Sequence, residues 1–140
     1  MTAKEYLEGI RIQDRKVEMK QRELQHLRET LDVIGICYDN TGTTTATRKV
    51  DETGEIIARV IDFENELKNE EFKLAIMRIN ATSAISSLNS EQQKEVLIRR
   101  YLLFENPEKI AEVTTYSKSY VYALCRDGLK SIPDFKNNTK

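Results

Sequence analysis

Two long stretches of the chain repeat apolar residues with the seven-residue period of a packed α-helix. In the first stretch, one row is wholly apolar and a second row is mixed. The first row holds Ile10, Val17, Leu24 and Leu31, and the second holds Tyr6, Gln13, Lys20, Leu27 and Ile34. Thr2 and Glu5 have the spacing of a capping box, and Gly35 follows the last apolar residue. The pattern therefore predicts a long helix that ends at about Ile34.

The second stretch predicts a helix from about Glu55 to Leu88. Its two rows hold Val60, Leu67, Leu74, Ala81 and Leu88, and Ile56, Phe63, Glu70, Met77 and Ala84. Since the two helices have similar lengths, the simplest arrangement is an antiparallel hairpin with a coiled-coil-like seam. Polar residues such as Lys20 and Glu70 within the seam either specify its register or admit water. Packing within one chain and pairing between two chains both satisfy this pattern.

The segment between these helices is polar and rich in threonine and glycine. Residues 39–54 read DNTGTTTATRKVDETG, a composition typical of a mobile loop. The alternative is a β-strand through the threonines at 43, 44, 45 and 47, but no second strand is available to pair with it. We therefore predict a helical hairpin over residues 2–89 that contains a mobile loop at 39–54.

Three shorter helices are predicted in the rest of the chain. Ser90 begins a capping-box pattern, and the helix after it is expected to end near Asn106. Asn106 caps the next helix and Pro107 suits its first position. Ser117 caps the last helix, which ends before Pro133. We assign residues 90–133 to a trihelical domain and expect a disordered tail at 134–140.

The last two helices have the spacing of a helix-turn-helix. A small residue at Ala111 permits close approach, and Val121 would fill the angle between the helices. Thr115 stands where glycine is usual, so either the turn has another conformation or the register shifts by one residue. A helical hairpin without a role in DNA binding has similar apolar spacing.

Charge limits the mode of any nucleic-acid binding. The 140-residue chain has a net charge of −1, divided as +1 over residues 1–50, −4 over 51–89 and +2 over 90–140. This balance excludes a strongly basic binder. DNA contact would need a local basic patch, aided by a second copy or a partner.

Little in the sequence indicates catalysis or a cofactor. His26 is the only histidine and is expected to be solvated, and no phosphate loop or metal-ligand cluster appears. Cys37 and Cys125 lie far apart and outside any CxxC pattern, which fits a reducing cytoplasm. We expect a cytoplasmic protein that is not an enzyme, with no signal peptide, membrane span, metal or other cofactor.

A family resemblance is carried by the C-terminal third of the chain. The segments LIRRY at 97–101, IAEV at 110–113 and YSKSYVY at 116–122, followed by Leu129, resemble the last DNA-binding region of bacterial sigma factors. With its TAKEYL opening at 2–7, the whole chain resembles ArpU- or RinA-like phage transcriptional regulators. The turn departs from the usual Leu-Gly, having Thr114 and Thr115.

The resemblance implies that the last helix enters a major groove of DNA. Its outward residues are then the candidate DNA-binding set: Ser117, Lys118, Ser119, Tyr122 and Arg126. Lys118 and Arg126 suit phosphates or guanine edges, and the Ser117 cap suits a phosphate. The alternative is an ordinary solvated face with Tyr120 packed on the helix that follows Ser90. Arg99 and Arg100 would either flank the DNA backbone or pair with Glu95 and Glu105, and we expect the structural role for both.

The resulting hypothesis is an all-α, sequence-specific DNA-binding regulator, an activator of phage or prophage late genes that acts with host RNA polymerase. The N-terminal hairpin would associate with itself or contact the polymerase. Two alternatives remain open. One is a small terminase subunit that binds packaging-site DNA, and the other is a protein-interaction module that acts on polymerase without binding DNA.

Overall fold

The computed structural model describes residues 2–34, 47–133 and 135, and every regular element among them is helical, with no strand. The elements in chain order are α1 (Ala3–Ile34), α2 (Thr47–Ser86), α3 (Glu91–Leu97), a π-helical segment (Ile98–Leu102), α4 (Pro107–Thr114) and α5 (Lys118–Ser131). The prediction of an all-α protein is therefore confirmed. Two compact units form, one from Met1–Asp14 with Lys73–Lys140 and the other from Arg15–Phe72. We term them the terminal unit and the central unit.

The start of α1 is as predicted, whereas the start of α2 is not. The Glu5 amide donates to the Thr2 hydroxyl at 3.2 Å, and the Thr2 amide donates to the Glu5 carboxylate at 3.4 Å. α2 begins at Thr47 rather than Glu55, so the prediction of a loop is wrong for residues 47–54. A helix extends easily once nucleated, and the single Gly54 costs it only about 1 kcal/mol.

Some predictions fall outside the described residues. They are the role of Gly35 as the residue that ends α1, the remaining loop residues 39–46 with their possible strand, and the tail, apart from Phe135. The Phe135 ring stacks on Tyr6, with centroids 4.0 Å apart. No helix in the described ranges is long and apolar enough to cross a membrane.

In the central unit, α1 and α2 both contribute buried apolar residues, and ion pairs between other side chains link the two helices. The buried residues are Val17, Leu24, Leu31, Val60 and Leu67. Lys16 pairs with Glu70 at 3.4 Å, Lys20 with Glu66 at 3.2 Å, and Arg28 with Glu64 at 3.5 Å. Since the partner number falls along α2 as it rises along α1, the two helices run antiparallel within this unit.

The polar residues of the predicted seam have partners here. The Lys20 ammonium also lies 5.0 Å from the centre of the Phe63 ring, and the buried Glu70 carboxylate meets Lys16. A buried carboxylate is costly unless it is paired. These contacts favour register specification over water entry as the role of the polar positions.

The core of the terminal unit combines residues from the start of α1 and the last part of α2 with residues of the shorter helices. Its buried residues are Ala3, Leu7, Ile10, Ala81, Ile85, Leu88, Val96, Leu97, Tyr101, Leu102, Ile110, Val121, Leu124, Cys125 and Ile132. Residues before and after position 90 thus share one hydrophobic core. The functional division into 2–89 and 90–133 stays a prediction.

The helix after Ser90 differs from the predicted single helix up to Asn106. The Gln93 amide donates to the Ser90 hydroxyl at 3.3 Å, as a cap requires. The helix then changes to a π-helix at Ile98 and ends at Leu103. The buried pairs 96–97 and 101–102 lie five positions apart, which is the spacing that an i to i+5 hydrogen-bond pattern places on one face. Burial of both apolar pairs therefore favours the π geometry.

Gly128 sets the close approach of α5 to α3. A Cβ atom at this position would lie 2.8 Å from Cδ1 and 3.4 Å from Cγ of the fully buried Leu97. Val121 is fully buried, as its predicted place between the helices requires, while Ala111 is half-buried. The core thus holds α5 by one face and leaves the opposite face in solvent.

Candidate nucleic-acid interface

The short helix α4 begins at the predicted cap. The Lys109 amide donates to the Asn106 side-chain oxygen at 2.8 Å, and Pro107 occupies the first turn. Ile110 is fully buried and anchors the helix in the core. Local sequence therefore places α4 directly before the turn that leads to α5.

Thr115 adopts the left-handed conformation in that turn, with φ 64° and ψ 13°. Both alternatives considered for a turn without glycine, another conformation or a register shift, are therefore wrong: the turn keeps the left-handed conformation at the predicted position, with threonine in it. The Thr114 hydroxyl donates to the Ile110 carbonyl at 2.5 Å, and the Thr115 hydroxyl donates to the Thr114 carbonyl at 2.5 Å. A left-handed β-branched residue costs about 1–3 kcal/mol, which the surrounding packing must offset.

The candidate DNA-binding residues are all exposed at α5 or its cap. They are Ser117, Lys118, Ser119, Tyr122 and Arg126. The Ser117 hydroxyl accepts from the Tyr120 amide at 3.1 Å, so one of its lone pairs already caps the helix. Exposure makes all five accessible to a ligand, but their surroundings differ.

Lys118 is paired across the turn. Its ammonium lies 2.8 Å from the Glu108 carboxylate on α4. The hydrogen bond and charge of Glu108 raise the pKa of Lys118, and those of Lys118 lower the pKa of Glu108. A phosphate at Lys118 would therefore lie beside an ionised carboxylate.

Tyr120 packs toward α3, the helix that follows Ser90, in agreement with the alternative considered for it. Its hydroxyl donates to the Gln92 side-chain oxygen of α3 at 2.5 Å. Its ring meets Tyr116 edge to face, with centroids 5.2 Å apart. These contacts occupy Tyr120 in holding the start of α5 against α3.

Tyr122 and Arg126 line a groove of about 460 Å³ beside α5. Among the residues that the structure describes, its lining is Thr2, Ala3, Lys4, Arg100, Tyr101, Tyr122, Cys125, Arg126, Leu129, Lys130 and Ile132. Four of these residues are cationic and none is acidic. We term this feature the basic groove.

Arg100 is held in the groove by aromatic rings. Its guanidinium carbon lies 5.6 Å from the centre of the Tyr101 ring and 5.4 Å from that of Tyr122. Burial raises the pKa of the Cys125 thiol because it disfavours the charged form, and this outweighs the opposite effect of the nearby Arg100 guanidinium. Burial likewise raises the pKa of Tyr101. Both groups thus stay neutral at neutral pH, so neither adds a negative charge beside the arginine.

The two neighbouring arginines differ from the sequence expectation. Arg99 pairs with Glu95 at 3.5 Å and Glu105 at 3.3 Å, as expected. Arg100 instead faces the basic groove, so pairing with these acids is wrong for Arg100. The π-helical turn through both residues directs their side chains to different surroundings.

The sequence interpretation omitted Lys4, Arg100 and Lys130 from the candidate site. Lys130 could have been found, since it follows Arg126 by four positions on the same helical face. Lys4 comes from the opposite end of the chain, and no local pattern links it to α5. In the described part of the chain, no cluster of histidine, cysteine, aspartate or glutamate could hold a metal ion.

Comparisons with known proteins identify no relative: no family model matches the chain, and neither a curated protein nor a solved structure matches it. The interface geometry is therefore the basis for a functional proposal.

Proposed function

We propose that this protein is a sequence-specific DNA-binding transcriptional regulator whose reading element is α5. The supporting observation is the exposed face of α5, where Tyr122 and Arg126 border a groove whose described lining has four cations and no acid. A local basic surface of this kind gives a chain of net charge −1 a means of approaching DNA. The resemblance to sigma factors and to ArpU- or RinA-like phage regulators suggests promoter DNA as the target.

In this proposal, α3, α4 and α5 act as a sigma-like helix-turn-helix attached to a hairpin of α1 and α2. α5 enters the major groove, and Ser119 and Tyr122 near its start face base edges. Arg126, one turn later, faces a phosphate or a guanine. The protein acts through binding and recruitment of host RNA polymerase rather than catalysis.

Self-association of the hairpin would double the number of DNA contacts. The central unit exposes several large apolar side chains: Val33 at 88%, Phe72 at 67%, Met19 at 55% and Ile61 at 47%. Such exposure is typical of surfaces that bind other proteins when the residues lie together. A dimer would read a palindromic or directly repeated site, and light scattering at micromolar concentration would detect it. A monomer that also fails to bind RNA polymerase contradicts the recruitment mechanism.

The decisive experiment is selection of preferred duplexes from random DNA, followed by fluorescence anisotropy across a salt series. A variant with Lys118→Ala, Tyr122→Ala and Arg126→Ala is compared with wild type, with folding checked by circular dichroism. A second variant, Arg59→Ala with Lys68→Ala, removes the same charge from exposed positions of the central unit.

We expect wild type and the central-unit variant to bind the selected DNA with steep salt dependence, and the α5 variant to lose this binding while folded. Equal, weak binding by all three would contradict DNA reading and favour the protein-interaction alternative. A large ring that binds packaging-site DNA would instead favour the small terminase alternative, and the assembled mass distinguishes it.

A further inference from the structure

The basic groove brings together cations from three parts of the chain. Lys4 lies in the first turn of α1, Arg100 in the π-helical segment, and Arg126 and Lys130 on α5. A solvated helix face would supply such charges from one element. Here three elements instead converge on an opening that no described acidic residue lines, which is the arrangement expected of a site for an anion.

The state of each cation supports this interpretation. Lys4 and Lys130 are exposed, and neither forms an ion pair with a described acidic side chain. Arg126 Nε lies 3.7 Å from the carboxylate of its neighbour Asp127, which is beyond hydrogen-bond distance, and both side chains are largely exposed. Because the two groups lie too far apart for a hydrogen bond, the guanidinium donors remain available to a ligand.

The groove also has the size and rigidity that an oxyanion requires. Its volume of about 460 Å³ would hold roughly 15 water molecules at about 30 Å³ each, enough for a phosphate group with part of its hydration shell. Arg100 is positioned in advance by the Tyr101 and Tyr122 rings, so less conformational freedom is lost on binding. A guanidinium presents paired N–H donors that match the oxygens of a phosphate.

We propose that the basic groove binds a phosphate group and, on the basis of the proposed function, that this group belongs to the DNA backbone beside the reading end of α5. Tyr122 and Arg126 border both the exposed face of α5 and the groove. A helix in the major groove is flanked by phosphates that fix its orientation. Lys4 therefore joins the DNA interface, and the N-terminal turn of α1 contributes directly to binding.

The test uses the full chain with Lys4→Gln and Lys130→Gln, and the duplex selected by wild type. Arg59→Gln with Lys68→Gln is the control for net charge, and Lys4→Arg with Lys130→Arg restores the charges of the groove. Anisotropy across a salt series gives the slope of log affinity against log salt concentration. Circular dichroism checks the fold of each variant, and competition with mismatched duplexes measures sequence preference.

We expect the groove variant to lose about 1 to 2 units of this slope, since each neutralised phosphate contributes about 0.9. Sequence preference should be unchanged because phosphate contacts carry no base information, and the arginine variant should recover the slope. A slope equal to that of wild type and the control overturns the phosphate site while leaving DNA reading intact.

A titration with inorganic phosphate distinguishes the sources of the ligand. Amide NMR shifts at Tyr122 and Arg126 that saturate in wild type, and are absent from the glutamine variant, support a phosphate site even if no duplex is bound. In that case the proposed DNA function fails, and a free phosphate is the ligand of the groove. The absence of both DNA binding and phosphate shifts overturns both proposals.

Discussion

The two ends of α5 both expose basic side chains, but they differ in how those charges are paired. At the first turn, the Lys118 ammonium lies 2.8 Å from the Glu108 carboxylate. Toward the other end, Arg126 and Lys130 line a groove with Lys4 and Arg100, and no acidic residue of the described ranges lines it. Exposure is therefore similar at the two ends, while the local electrostatic potential is not.

This difference shows that an exposed cation is not necessarily one that can attract a phosphate. A phosphate that approaches Lys118 must compete with the ionised Glu108 carboxylate for the ammonium group. A phosphate that enters the basic groove instead lies among several cations, and its negative charge reduces the repulsion between them. We therefore expect phosphate contacts to be concentrated at the groove, and the start of α5 to contribute mainly through its cap and through base contacts.

The largest expected effect comes from truncation of a core residue in α4, the helix that leads into α5. Ile110→Ala should lower the free energy of unfolding by about 2–5 kcal/mol, because it leaves a cavity at a fully buried position. Urea denaturation measures the change. Val113→Ala, at a side chain that is 49% exposed, is the control and should change stability by less than about 0.5 kcal/mol. A small effect at Ile110 would show that α4 does not anchor α5.

The next effect separates the capping role of Ser117 from a DNA role. Ser117→Ala should cost about 1 kcal/mol of stability, since the Tyr120 amide loses its acceptor. Ser117→Asp keeps the cap and should retain stability, but its charge should weaken DNA binding if a phosphate lies at this end. Unchanged DNA affinity in the folded aspartate variant would assign Ser117 to capping alone.

Thr115→Gly should stabilise the protein by about 1 kcal/mol, because glycine adopts the left-handed conformation without the strain of a β-branched residue. Thermal and urea unfolding measure this gain. Thr114→Gly, inside α4, should instead destabilise, since it removes the hydroxyl bond to Ile110 and weakens the helix. A loss of stability at Thr115 would mean that its hydroxyl outweighs the backbone strain.

The smallest expected effect on DNA binding comes from breaking the Lys118–Glu108 pair at the start of α5. Glu108→Gln should free the Lys118 ammonium and steepen the salt dependence of DNA binding by at most about 0.9 units. The same substitution in a Lys118→Gln background should have no such effect. If the slope is unchanged in both backgrounds, no phosphate lies at Lys118.

The same pair gives a pH dependence of stability. Because the pKa of Glu108 is lowered from 4.5 in the folded protein, the pair stabilises the fold above that ordinary value. This contribution is lost as the pH falls through the lowered pKa. Glu108→Gln should flatten the acid limb of the stability profile slightly, as expected for an exposed pair.

Local features of the fold were predictable from the sequence because they depend on neighbouring residues. Ser90, Asn106 and Ser117 each accept from the amide three positions later, and a cap of this kind needs only a suitable side chain and the helix that follows it. The start of α2 was not predicted, since polar residues that resemble a loop also extend an existing helix. The π-helical segment was missed because its geometry depends on burial of both apolar pairs.

In the candidate site too, some residues could be predicted from the local sequence and others could not. Its α5 members were found from the spacing of a helix-turn-helix, and their exposure follows from the buried positions of Val121 and Leu124 on the opposite face. The pairing of Lys118 with Glu108 joins two helices across a turn, ten positions apart. The inclusion of Lys4 depends on where α1 packs, which the periodicity of α1 does not specify.

By itself, the sequence determined the helical class, the caps and the apolar rows of this protein, because these arise from contacts between residues three to seven positions apart. Only the tertiary structure decided which charges are cancelled and which accumulate. Lys4 and Lys130 meet at one groove from opposite ends of the chain. Electrostatic potential depends on distances in space, and packing of the core in the terminal unit sets those distances.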